Sequence, residues 1–150
     1  MNSLPDHYPD HYPDHYPDHY PDHYPDQCPP KVAHYHTGDL YRFINRNNPV
    51  PKDFKSYYDI NPTKNWGEKA CLARGLSVVK CGLGVQEMRD AIPALRRKKV
   101  SKANISDNFG MLGDTPSSSS QRHCTWWMPK SILEPEKLFV VINESELTNV

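Results

Sequence analysis

The first thirty residues contain no Lys and no Arg, and no apolar run anywhere approaches the length of a membrane span. The N-terminus also lacks the basic-then-apolar pattern of a secretory signal, so the sequence predicts a cytoplasmic chain with no membrane segment. The four cysteines, Cys28, Cys71, Cys81 and Cys124, form no C-x-x-C pair. Their spacings give no support to a zinc site, and in a reducing compartment they read as free, mostly buried thiols. There is no P-loop, no dinucleotide glycine fingerprint, no H-E-x-x-H and no G-x-S-x-G.

The formal net charge of zero hides an asymmetry. All 18 Lys and Arg lie after Pro30, against 18 − 6 = 12 acids there, because six Asp fall in the first thirty residues. An acidic leader thus precedes a basic domain, which fits an anionic partner or simple self-solvation. That leader is Pro5-Asp6-His7-Tyr8 repeated five times without error to Tyr24, then Pro25-Asp26. A Pro at every fourth position removes backbone donors and blocks helix, so residues 1–30 are expected to form a disordered, partly polyproline-like tail. Its regular His and Asp are weak metal ligands at most, and no metal site is assigned.

From residue 31 the pattern becomes globular. Leu40-Tyr41-Arg42-Phe43-Ile44 is the first strand signal, with Arg42 on the side of Leu40 and Ile44. An unpaired Arg buried there would cost several kcal/mol, roughly the penalty of a buried ion, so it must reach a carboxylate such as Asp53 or Asp59, a ligand anion, or solvent. Residues 53–59 suggest a short helical turn, and Thr63 an N-cap for a helix from Lys64 to Arg74. Leu76 to Cys81 is the best buried strand. Val85 to Leu95 reads as a helix broken near Pro93, and Arg96 to Lys99 as a solvated basic cluster without the interleaved aromatics of a nucleic-acid platform. Val100 to Ile105 is a weaker strand, Asn108 to Gly113 a loop, and Pro116 to Ser120 a flexible excursion. In His123-Cys124-Thr125-Trp126-Trp127-Met128, strand alternation sets His123, Thr125 and Trp127 against Cys124, Trp126 and Met128. Leu138 to Ile142, continuously apolar, reads as a central strand, and residues 144–150 as a fraying end.

The expected architecture is a compact α+β domain over residues 31–143, with a mixed or antiparallel sheet and two or three helices. The succession Tyr41-Arg42-Phe43, Asp53-Phe54-Lys55-Ser56, Gly75-Leu76-Ser77-Val78 and His123-Cys124-Thr125-Trp126-Trp127 resembles an uncharacterised family of small bacterial proteins. That family carries YRF, DFxS, G-(L/V)-S-V-F and HxT-(L/W)-W in this order. The resemblance spans residues 39 to 142, with Val79 where the family usually has Phe, and it implies no particular activity. A more distant likeness is to the ADP-ribosyltransferase fold. It implies a nicotinamide-dinucleotide cleft with Arg42 on a phosphate or ribose and Ser77 on the amide-binding strand. The catalytic Glu of that fold has no clear counterpart; Glu144 and Glu146 alternate suitably but follow the last strand.

Polar residues set into strong strand patterns, without a complete catalytic set, predict a cleft that binds a partner protein or small ligand through Arg42, Ser56, Ser77, His123 and Thr125. The alternative is an ADP-ribosyltransferase-like enzyme of a toxin or defence system, with nicotinamide dinucleotide (NAD) as cofactor. That alternative needs a carboxylate beside Arg42 and Ser77.

Overall fold

Leu76–Val79 occupies the middle of a seven-stranded sheet, and the rest of the chain is layered on its two faces. The computed structural model describes residues 19–106 and 109–149. In chain order the strands are β1 (His34–Tyr35), β2 (Gly38–Ile44), β3 (Leu76–Val79), β4 (Lys99–Ile105), β5 (Met111–Asp114), β6 (His123–Trp127) and β7 (Val140–Val141). They lie in the order β1-β5-β6-β3-β2-β4-β7, and every neighbouring pair is antiparallel. The helices are α1 (Tyr57–Ile60) and α2 (Gly82–Ala91), so the domain is α+β with an antiparallel sheet, as the sequence predicts.

Register explains the layers. Leu76 pairs with Trp126 and Val78 with Cys124, and Trp126 with Leu112, so these side chains share one face with Leu40, Ile44, Ala103 and Ile105. Phe54 and Phe139 close over that face; Phe139 packs its ring against both Phe54 and Trp126. Full burial of each such side chain is worth about 1.5–3 kcal/mol, and this cluster is the main core. The Trp126 indole donates to the Phe109 carbonyl at 2.7 Å, so its burial leaves no polar group unmet.

The opposite face is covered in two halves. Over β2, β3 and β4, α2 packs Val85 and Met88 against Tyr41, Val79 and Val100. Over β5 and β6, Met111 and Trp127 are covered by Tyr20, Cys28 and Ala33. The unpacked tail expected for residues 1–30 is therefore shorter at its C-terminal end. Tyr20 and Cys28 are buried, and the Lys130 amide donates to the His19 carbonyl at 2.8 Å. Residues 1–18, with the repeats up to Asp18, lie outside the described residues. The averaged composition of the repeat concealed its Tyr rings, whose apolar area suffices for docking where a surface is available. Cys28 is joined to Cys71, so only Cys81 and Cys124 are free; the expectation of four free thiols is corrected.

Four further expectations change. The end expected to fray at 144–150 forms a 3-10 turn over Glu144–Asn149, with Leu147 buried beside Val85 and Met88 of α2. The segment Lys64 to Arg74 is two separate 3-10 turns, Gly67–Lys69 and Leu72–Arg74, because Gly67 takes a left-handed backbone (φ 56°) that interrupts an α-helix. The end of the expected loop at 108–113 is instead β5; Asn108 lies outside the described residues. The apolar run 138–142 yields only the two-residue β7 at the sheet edge, not a central strand. Phe139 turns into the core while Val140 is exposed.

The docked repeat contains a pH-sensitive contact. The His23 ring stacks on Tyr58 at 4.2 Å, and the Arg74 guanidinium lies 3.9 Å from the Tyr58 ring centroid while its Nε donates to the His23 carbonyl. Burial, and after it Arg74, hold His23 below its ordinary pKa, with Asp59 and Asp22 pulling the other way. The undocked segment therefore takes up its proton first as pH falls. Docking is at full strength above about 6.5 and weakens as pH falls below that value. Amide exchange of residues 19–30, corrected for intrinsic rates, should show less protection at pH of about 5.5 than at about 7.5. The difference should disappear in His23→Gln. Equal protection at both values in the parent would rule this contact out as the titrating element.

Candidate functional site

Between the two covered halves the sheet face carries polar side chains. Ser77 on β3 lies directly opposite Thr125 on β6, and His123 follows two residues away on the same face. Beyond the end of β5, the Thr115 amide donates to the His123 carbonyl at 3.0 Å, which brings Thr115 alongside the imidazole. These four side chains form one chain of hydrogen bonds. Ser77 Oγ lies 2.9 Å from His123 Nε2. His123 Nδ1 lies 2.9 Å from the Thr115 carbonyl oxygen and 3.0 Å from Thr115 Oγ1, and Thr115 Oγ1 is 2.8 Å from Thr125 Oγ1.

The carbonyl sets the proton positions. It can only accept, so Nδ1 carries the hydrogen and donates to it. In the neutral ring Nε2 is then the acceptor, and the Ser77 hydroxyl donates to it. Cys124, adjacent in sequence to His123, faces the opposite core, and its thiol is pushed up to about 11 chiefly by burial. A Cys124–His123 pair is thus absent, as strand alternation requires.

Ser77, Thr115, His123 and Thr125 line a cavity of about 520 Å³, together with Tyr57, Lys64, Trp66 and Lys69 from the segment that crosses above the sheet. Lys64 Nζ sits 4.3 Å from the Trp66 ring centroid, and Tyr57 lies 6.2 Å from it. Trp66 Nε1 is buried with no acceptor among the described residues. The cavity wall holds two cations and no Asp or Glu among the described residues.

Arg42 and Ser56 sit in a neighbouring cavity of about 340 Å³, which shares Tyr57, Gly75 and Ser77 with the first. The five expected site residues thus divide: Ser77, His123 and Thr125 come together, Arg42 and Ser56 lie next door, and Ser77 stands in the wall between. β2 and β3 are paired only at Tyr41 and Val79. Arg42 bridges the strands beyond that point. Its Nη1 donates to the Ser77 carbonyl at 2.8 Å, while Nε and Nη2 donate to the Asp53 carbonyl at 3.0 and 2.8 Å. Burial brings its pKa down to about 10, so it stays charged at neutral pH. The anchor is the Asp53 backbone and not its carboxylate, which accepts from the Val50 and Asn45 amides. Ser56 is the N-cap of α1: its hydroxyl accepts from the Asp59 amide, and Asp59 accepts from the Ser56 amide, both at 3.0 Å.

Thr115, Lys64, Trp66 and Lys69 were not singled out from sequence as site residues; only the pairing of β5 with β6 and the turn at Gly67 bring them in. Glu144 is held by Arg89 in an ion pair. Among the described residues lining the two cavities Asp53 is the one acid. No group of three or more His, Cys, Asp or Glu side chains among the described residues is arranged to hold a metal ion. No family model, curated protein or solved structure matches the chain.

Proposed function

We propose that the domain binds a small ligand bearing an anionic group and a flat apolar part in the Ser77–His123 cavity. The observation that carries this reading is a cavity with Lys64 and Lys69 in its wall and no opposing carboxylate among the described residues. Cations in the wall favour an anion, and the Trp66 ring beneath Lys64 favours a planar group. A hydrogen-bonded polar floor would set the ligand's orientation. The nicotinamide-dinucleotide enzyme reading belongs to the neighbouring cavity, where Asp53 lines the wall with Arg42 and Ser77 but its carboxylate is taken up by the Val50 and Asn45 amides, so NAD enters here as one candidate ligand only.

The cytoplasmic placement expected from sequence sits poorly with the Cys28–Cys71 bond, since disulfides persist mainly in oxidising compartments. We favour maturation in such a compartment. Among the described residues no helix is long and apolar enough to cross a membrane.

A thermal-shift series with aromatic phosphates and carboxylates, NAD among them, tests the binding reading. A ligand at about 100 times its dissociation constant should stabilise the full chain by about 2.7 kcal/mol. The Lys64→Glu/Lys69→Glu variant, which should fold normally because both positions are exposed, should lose that shift. Retention of the full shift in this variant would remove the cavity as the binding site.

A further inference from the structure

We infer that Ser77 and His123 form a nucleophile–base pair for acyl transfer, which would make the cavity a hydrolytic site for esters with an anionic or aromatic part. This inference rests on the ligand-binding reading of the same cavity and adds a reaction to it. A serine hydroxyl is a weak nucleophile until a positioned base accepts its proton, and the base must be held by a third group in the right tautomer. Those three relations are present. The Ser77 hydroxyl is 2.9 Å from Nε2, and the Thr115 carbonyl fixes the hydrogen on Nδ1 from 2.9 Å. Ser77 and His123 are neither fully buried nor fully exposed, and both line the cavity.

The hydrogen-bond chain has a direction. With Nδ1–H engaged by the Thr115 carbonyl, the hydroxyls of Thr115 and Thr125 complete the network at the Nδ1 end of the ring. Thr115 and Thr125 are therefore positioning residues, and the pair that would meet substrate is Ser77 and His123. A carbonyl at the third position orients the ring without adding a buried negative charge. That suits a cavity whose wall carries the positive charges of Lys64 and Lys69.

The step balances without a further cofactor. Ser77 Oγ forms a bond to the acyl carbon as its proton passes to His123 Nε2, and the ester C–O bond breaks. The departing oxygen takes the proton from Nε2 and leaves as an alcohol. Water then gives a proton to Nε2 and adds to the acyl carbon. The Ser77 ester bond breaks, and Oγ recovers its proton from Nε2, leaving a carboxylic acid.

The experiment is labelling of the full chain with a fluorophosphonate probe, read by intact mass and peptide mapping. Ser77→Ala, Ser77→Cys and His123→Gln are treated in parallel, and each variant's folding is checked by thermal melt. The expected result is one adduct per chain on Ser77, none in Ser77→Ala, and a labelling rate at least about 100-fold lower in His123→Gln. The Ser77→Cys thiol should be alkylated by iodoacetamide faster than Cys81 or Cys124 in the same chain, which tests the base without relying on the probe. Labelling of Ser77→Ala at the parent rate, or equal rates in His123→Gln and parent, would overturn the inference. An unlabelled parent that still shows the ligand-induced thermal shift would also overturn it while leaving the binding reading intact. Loss of both signals would take down the two together.

Discussion

Replacing Cys28 and Cys71 together by Ala is expected to lower the unfolding free energy by roughly 4 kcal/mol, read from urea midpoints. The bond joins residues 43 apart in sequence, and the loop it closes contains β1, β2, α1 and the turn at Gly67. Cross-linking so long a loop removes many conformations from the unfolded chain, and the roughly 4 kcal/mol follows from the logarithm of that length. The native state loses something as well. Cys28 is buried against Trp127 and Met111, and the Cys71 carbonyl accepts from the Trp127 indole at 2.9 Å. Removing the bond therefore frees residues 19–30 and loosens the cover over β5 and β6 together. The parent in excess dithiothreitol should unfold at the same urea concentration as the double variant. Coincident midpoints for oxidised and reduced parent would mean that the bond contributes nothing to stability.

Arg42→Met is expected to cost about 3–5 kcal/mol, although Met matches much of the Arg stem in volume. The loss arises from what remains behind. Where β2 and β3 diverge, no strand partner stands ready for the Ser77 carbonyl, and Arg42 Nη1 fills that place at 2.8 Å. The Asp53 carbonyl loses two donors at once. Water entering to satisfy these oxygens would have to open the contact between Phe54 and the sheet, since the guanidinium also lies 5.6 Å from the Phe54 ring centroid. Arg42→Lys should recover only part of the loss, because an ammonium cannot present a planar fork to two carbonyls. A cost below about 1 kcal/mol for Arg42→Met would show that the gap between the strands closes without it.

Arg42 also marks where reading the chain by pattern succeeds and stops. Alternation along β6 was enough to put His123 and Thr125 on one side and Cys124 and Trp126 on the other; it took the register with β3 to add Ser77 to the first side. The same rule placed Arg42 on the apolar side and demanded a partner for it. The partner it found is a pair of backbone carbonyls, which no pattern of side chains announces. β5 was missed for a different reason. Its four residues include Gly113, which lowers any strand signal, yet the Trp127 ring lies over that position and a Cβ there would meet it at 3.0 Å. Without β5 there is no Thr115 beside His123, so the third member of the hydrogen-bond chain could not be inferred. The run 138–142 misled in the opposite sense. Its apolar content serves two directions, Phe139 into the core and Val140 outward, and only a short edge strand results.

The docked repeats have a consequence for inheritance. Residues 19–24 are chosen for docking by their distance from Cys28, not by any feature of their own, because all five copies are identical. Replication slippage that adds or deletes one unit changes which genetic copy encodes residues 19–24 and leaves their sequence unaltered. The surface around Tyr58 and Arg74 thus meets the same histidine in chains of different repeat number.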